Sequence, residues 1–132
     1  MSADSDILSI IQKVLVNAAL DIPIKYVGRV WKVPADQKYL EVVWIPTNGN
    51  WFWSDRNNDT GLFRLILHWP TDDRGAYSPM QYMEQNVLPL FPKGPMGDGM
   101  SLQTAPNFNG PLEMGHEILY PWTIRYVRYN RG

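Results

Sequence analysis

The chain has no cysteine, which excludes disulfides, thiolate nucleophiles and cysteine-bound zinc together and leaves folding to packing alone. That composition is compatible with a reducing compartment. Histidine is almost as scarce. The two present, His68 and His116, sit in no HExxH spacing and beside no cluster of metal ligands. An excess of charge of either sign is also missing: 12 Lys and Arg stand against 13 Asp and Glu, for a formal net charge of -1. No global field therefore draws the chain to nucleic acid, whose phosphates are met by a clustered basic surface. No membrane-length apolar run occurs either. The opening MSADSDILSIIQKVLVNAALD puts acids before its apolar stretch and Gln12, Lys13 and Asn17 within it, unlike a signal peptide or a membrane span. Repeats, linkers and low-complexity tracts are lacking.

What is there is 132 residues, 45% hydrophobic and 19% charged, enough to bury one core and too few for two, so residues 1–132 are read as one domain. From Ile7 onward the apolar residues Ile7, Leu8, Ile10, Ile11, Val14, Leu15 and Ala18 recur at helical spacing. A helix over about residues 6–19 follows, capped by Asp4, Ser5 or Asp6 and ended by Asp21 and Pro23. Residues 39–45 (YLEVVWI) form a β-branched and aromatic strand stopped by Pro46 and the turn Thr47-Asn48-Gly49-Asn50. Trp51, Phe52 and Trp53 are read as the start of the returning strand. Residues 61–69 (GLFRLILHW) suit a central strand buried on at least one face. Ser78 and Pro79 open a second helix over about residues 78–88, which Pro89 ends. Residues 93–100 (KGPMGDGM) are read as a turn-rich loop, and residues 121–129 (PWTIRYVRY) as a closing strand that alternates Trp122, Ile124 and Tyr126 with Thr123, Arg125 and Val127. The elements predict an α+β fold.

Chemistry is hard to find. His68, in an apolar strand, is read as a hydrogen-bonded structural residue. Asp72 and Asp73 fall in a turn, where acidic side chains commonly satisfy local backbone donors rather than a cation. The glycine-rich stretch before Met100 lacks the GK[ST] ending and the following helix of a phosphate cradle. An enzyme would need groups such as Asp72, Asp73 and His116 to converge from separate loops. No catalytic residue, metal or cofactor is therefore assigned.

The aromatic run is more informative. Neighbouring residues of a strand point to opposite faces, so one of Trp51, Phe52 and Trp53 turns away from the core unless both faces are covered. A protein interface fits, as does a stacking platform for a sugar or single-stranded nucleic acid, and core packing has equal standing. Arg125, Arg128 and Arg131 make a basic strip interleaved with Tyr126 and Tyr129, although in a strand Arg125 and Arg128 face opposite sides.

The long first helix, YLEVVWIP, GLFRLILHWPTDDRGAYSPM running into a helix, LFPKGPMGDGMSLQTAP and PWTIRYVRY together resemble the tail terminator proteins of long-tailed, siphovirus-type phages. The resemblance covers most of the chain. It rests chiefly on Trp69-Pro70 with Gly75 and Ala76, on Phe91-Pro92-Lys93-Gly94, and on Ile124, Arg125 and Tyr126 in the proline-led last strand; none of these is a chemical motif. It implies a mixed, mostly antiparallel sheet flanked by two main helices. It also implies a hexameric ring that caps the tail tube, stops its elongation and presents it to head-completion or neck proteins at the tail-neck junction of the virion, assembled in the host cytoplasm. The expected partners are further copies of the chain, the tail tube protein, the neck protein and DNA in the channel, with no membrane. Trp51, Phe52, Trp53, Arg56, Lys93, Met96 and Met100 are the expected contact residues, and Arg125, Arg128 and Arg131 are expected to face a neighbour or the channel. Another head-to-tail connector, a head-closure protein or a tube protein would read similarly; a carbohydrate-binding module using Trp51, Phe52 and Trp53 is a rival of a different class.

Overall fold

The protein is described from a computed structural model that covers residues 3–47, 58–71, 75–97 and 99–129. The elements run α1 (Ala3–Ala18), β1 (Ile24–Lys25), β2 (Tyr39–Thr47), β3 (Asn58–Pro70), α2 (Tyr77–Tyr82), β4 (Gly94–Gly97), β5 (Met100–Leu102), β6 (Asn107–Phe108), β7 (Leu112–Glu113) and β8 (Glu117–Tyr129). One open sheet has the order β1-β2-β3-β8-β5-β4, and β6 and β7 also pair with β8. Among the described residues only β1 and β2 run parallel; the other pairs are antiparallel. The chain is thus α+β, with a mixed and mostly antiparallel sheet, as its elements predict.

Helix α1 forms where the 3.6-residue spacing places Ile7, Ile10, Ile11 and Leu15 on one buried stripe. It starts at Ala3, so Asp4, Ser5 and Asp6 lie inside its first turns rather than before them. It also stops earlier than Asp21 and Pro23 suggest, because Ala19 turns left-handed at φ 51°. Helix α2 begins at Tyr77, after Ala76, with no side-chain cap, so Ser78 lies within it. It loosens into a π turn (Met83–Val87) and a tight 3-10 turn (Leu88–Leu90). In a regular α-helix the ring of Pro89 would clash with the carbonyl four residues back, at Gln85, and that carbonyl sits in the widened turn. The helical path therefore runs past Pro89 to Leu90 in altered form. Among the described residues, no helix is long and apolar enough to cross a membrane.

The core lies between these helices and one face of the sheet. Cross-strand rows Leu40–Leu67–Tyr120, Val42–Leu65–Trp122 and Trp44–Phe63–Ile124 line that face and pack with Ile7, Ile11, Leu15, Met83, Val87 and Phe91 in one cluster. The next row is Pro46–Gly61–Tyr126. A Cβ on Gly61 would sit 2.4 Å from the Tyr126 hydroxyl, so glycine makes room for that ring. The freed space is used: Trp44 Nε1 donates to Tyr126 Oη at 2.9 Å.

The described part of residues 93–100 is not simply a loop. Gly94–Gly97 form β4 and Met100 opens β5, where Met100 and Leu102 alternate inward and enter the core. Strand β8 is longer than the expected closing strand, beginning at Glu117. Its free side is filled piecewise by β7, β6 and β5.

Candidate functional site

The second face of the sheet carries the alternate residues of the same strands. Its rows are Tyr39–His68–Leu119, Glu41–Ile66–Pro121, Val43–Arg64–Thr123 and Ile45–Leu62–Arg125. They differ in what covers them. At the first row Tyr39 stacks on His68 with ring centroids 4.0 Å apart, and Trp31, from the segment before β2, packs on Tyr39 at 4.9 Å. Tyr39 and His68 are buried. At the last row Ile45 is 36% exposed and Arg125 is exposed, as is Arg64 one row earlier. One end of this face is closed and the other is open.

The closed end is polar. His68 Nε2 lies 2.8 Å from Glu41 Oε1 and Nδ1 lies 3.1 Å from Glu117 Oε1, joining β2, β3 and β8 through one imidazole. Lys25 adds a contact of 3.5 Å to Glu41 from β1. A neutral imidazole has one N–H and one lone pair, so with both carboxylates ionised the two contacts are attractive together only when the ring carries two protons. The hydrogen bond to His68 holds the Glu41 carboxyl below its ordinary range; burial opposes this and Lys25 assists. Burial first, then Glu117 and Glu41, push the Tyr39 phenol up. The expectation of a hydrogen-bonded structural His68 matches this geometry. Beside the cluster is a shallow pocket lined by Val33, Gln37, Tyr39, His116 and Glu117. His116 is exposed, and its main-chain carbonyl accepts from Thr71 N at 3.1 Å.

At the open end Thr123 links two elements: its hydroxyl donates to Asn109 Oδ1 at 2.5 Å and accepts from Arg64 Nε at 3.3 Å. Among the described residues, no carboxylate lies within ion-pair distance of Arg64 or Arg125. Arg125 and Leu62 are directly opposite and Arg64 is diagonal to Arg125, a separation of about 7–8 Å.

The contact residues expected from sequence fare unevenly. Trp51, Phe52, Trp53, Arg56 and Arg131 lie outside the described residues, as do Asp72 and Asp73. Lys93 is exposed just before β4. Met96 is half-buried and packs on the core. Met100 is a correction: at 1% exposure it is a core residue, delivered there by the inward phase of β5. Arg125 is exposed on the open face, whereas Arg128 is half-buried and shares the phase of Tyr126, so the two do not form one basic surface. Glu41, Leu62, Arg64 and Glu117 carry the site and were not singled out by sequence. The signal was present in GLFRLILHW, whose period of two sets Leu62, Arg64, Ile66 and His68 on one face.

No family model and no curated protein matches the chain. A solved structure whose name states no activity superposes on 100% of this chain and 98% of its own, with a TM-score of 0.70 and 19% identity. At that identity the likeness shows the fold.

Proposed function

We propose that the chain is a structural subunit, of the siphovirus tail-terminator kind, that closes into a ring with copies of itself and caps a tail tube. The supporting observation is the open end of the second sheet face, where apolar side chains and two arginines are presented together in the cross-strand rows. A surface of this composition suits protein contact, since arginine and apolar anchors are enriched in interface cores.

The sheet edges favour contact through this face over edge-to-edge pairing. Leu40 N donates to Pro23 O at 3.0 Å, so the even-numbered residues of β2 turn their main-chain groups toward the β1 side. Among the described residues, β1 pairs only with Leu40 and Glu41. Farther along this edge, in the same outward phase, stands Pro46, which has no N–H to offer. At the opposite edge β4 is four residues long, contains Pro95 and shifts register between Pro95 and Gly97. Short, proline-bearing and irregular edges resist strand addition. Near the closed end, Trp31 Nε1 is buried with no hydrogen-bond partner among the described residues, and Val30 and Val33 of the same segment are 103% and 53% exposed. This segment offers a second surface for a partner.

The reading assigns no catalytic residue, metal or cofactor. Its test is assembly. Purified protein mixed with short tail tubes is expected to give closed rings, six subunits by mass, seated on tube ends, and to stop further tube growth. A protein that stays monomeric and leaves tube ends bare and growing would sink it.

A further inference from the structure

We infer that Asn109 is a self-modifying site: the main-chain nitrogen of Gly110 attacks the Asn109 side-chain amide, and Thr123, backed by Arg64, promotes the attack. The chemistry belongs to the chain alone and stands apart from the ring-subunit reading; only its effect on assembly rests on that reading.

The reacting groups lie between β6 and β7, on the open face. The Thr123 hydroxyl donates to Asn109 Oδ1 at 2.5 Å and accepts from Arg64 Nε at 3.3 Å, so the amide carbonyl is polarised by a hydroxyl that a cation polarises in turn. Negative charge grows on that same oxygen when a nucleophile adds to Cγ, and a donor already aimed at it stabilises the charge. The nucleophile is free. Among the described residues Gly110 N has no hydrogen-bond acceptor, whereas Asn109 N donates to Pro121 O at 3.0 Å. Gly110 has φ of 93°, which glycine adopts at no steric cost, and it has no Cβ to screen its nitrogen. Asn109 Nδ2, the leaving group, has no partner among the described residues. Residue 109 is exposed to the water that completes the reaction.

In the first step the bond from Gly110 N to Asn109 Cγ forms and the bond from Cγ to Nδ2 breaks. The Gly110 proton passes through water to the departing nitrogen, which leaves as ammonia, and a five-membered succinimide remains. Water then opens the ring, at one carbonyl to aspartate and at the other to its isoaspartyl isomer. Either product is a carboxylate one hydroxyl away from Arg64. Among the described residues no carboxylate lies within ion-pair distance of Arg64. The modified chain supplies one from within and withdraws that guanidinium from a neighbour, so the open face carries a clock set by the age of the protein.

Ageing in mildly alkaline buffer tests it, with residue 109 followed by peptide mass mapping beside a synthetic peptide of residues 105–114. The folded chain is expected to lose the Asn109 amide faster than the peptide by on the order of tenfold, less than a buried oxyanion donor supplies because Asn109 is exposed. Thr123→Val and Arg64→Met slow the folded chain toward the peptide, and Thr123→Ser keeps the parent rate. The sequence holds a second Asn-Gly pair, Asn48-Gly49, outside the described residues; its rate should be the same in parent and variants, which separates loss of the hydroxyl from loss of the fold. A folded chain slower than the peptide, a Thr123→Val variant faster than the parent, or an Arg64→Met variant as fast as the parent would each overturn the inference. In the first two cases the hydrogen bond would be restraining the amide rather than activating it. Assembly has its own readout: Asn109→Asp is expected to cap tube ends several-fold less well than the parent, and equal capping would remove the clock. A parent that loses the amide as stated yet leaves tube ends bare would uphold the site and remove the tail-terminator reading.

Discussion

The two faces of the central sheet are made from the same three strands and differ by one residue of phase. On one face Phe63, Leu65 and Leu67 are fully buried beneath the helices. On the other, Leu62 and Ile66 are half-buried and Arg64 is exposed. Because side chains alternate with a period of two, each strand commits both faces at once, and a slip of one residue would exchange core and surface. The first face carries stability. The second is divided, with a closed polar end that ties β1, β2, β3 and β8 together and an open end that leaves Ile45, Arg64 and Arg125 exposed. The sharpest way to break this comparison is to truncate residues on each face and ask where the cost falls.

Phe63→Ala should show the largest effect. Phe63 is fully buried and meets the Phe91 ring edge to face and the Tyr126 ring at a tilt, so its removal leaves a cavity and costs about 3–5 kcal/mol, measured as a lower urea midpoint with the slope unchanged. Loss of less than about 1 kcal/mol would mean that the helices do not seal this face.

Gly61→Ala comes next. The new methyl would stand where the Tyr126 hydroxyl and ring now lie, and that hydroxyl is held by the Trp44 Nε1 hydrogen bond. Overpacking of this kind costs about 1–3 kcal/mol. A Gly61→Ala, Tyr126→Phe double variant should recover part of the loss, since the atom nearest the added methyl is the tyrosine oxygen. Failure to recover would place the strain in the backbone of β3 instead.

The polar end of the second face should respond to acid. In the folded chain the Glu41 carboxyl titrates below its ordinary value of 4.5, so as pH falls the unfolded chain takes up protons first and is favoured. The stabilisation is complete above the unfolded value and is lost as pH drops through the lower, folded one. Urea midpoints measured downward from pH 6 should fall, and Glu41→Gln should flatten that slope. An unchanged slope in the variant would show that the His68–Glu41 contact contributes nothing to it.

The sequence revealed the class of this fold through its periodicities. Residues 61–69 alternate cleanly, and the helical stripe from Ile7 to Leu15 needs only a wheel to be seen. What escaped was hidden for physical reasons. The density of glycine and proline in residues 93–100 masks a two-residue alternation, Met100 and Leu102, too short to stand out from turn chemistry. The cluster of His68 with Glu41 and Glu117 is invisible because the partners are 27 and 49 residues away in the chain and only strand register brings them together. The arginine pair is hidden similarly: Arg64 and Arg125 belong to different strands, whereas the sequence groups Arg125 with Arg128, its neighbour in number and not in face.

The smallest expected effect on folding is the one that decides the comparison. Leu62 adjoins Phe63 in the chain and points the other way, half-buried between Ile45 and Arg125. If the open face is open, Leu62→Ala removes few contacts and lowers the stability of dilute monomer by less than about 1 kcal/mol, while weakening self-association measurably at higher concentration. The two readouts must separate. Should Leu62→Ala instead destabilise the dilute monomer as severely as Phe63→Ala, this face would be covered by the chain itself, and a surface so covered could not receive another copy.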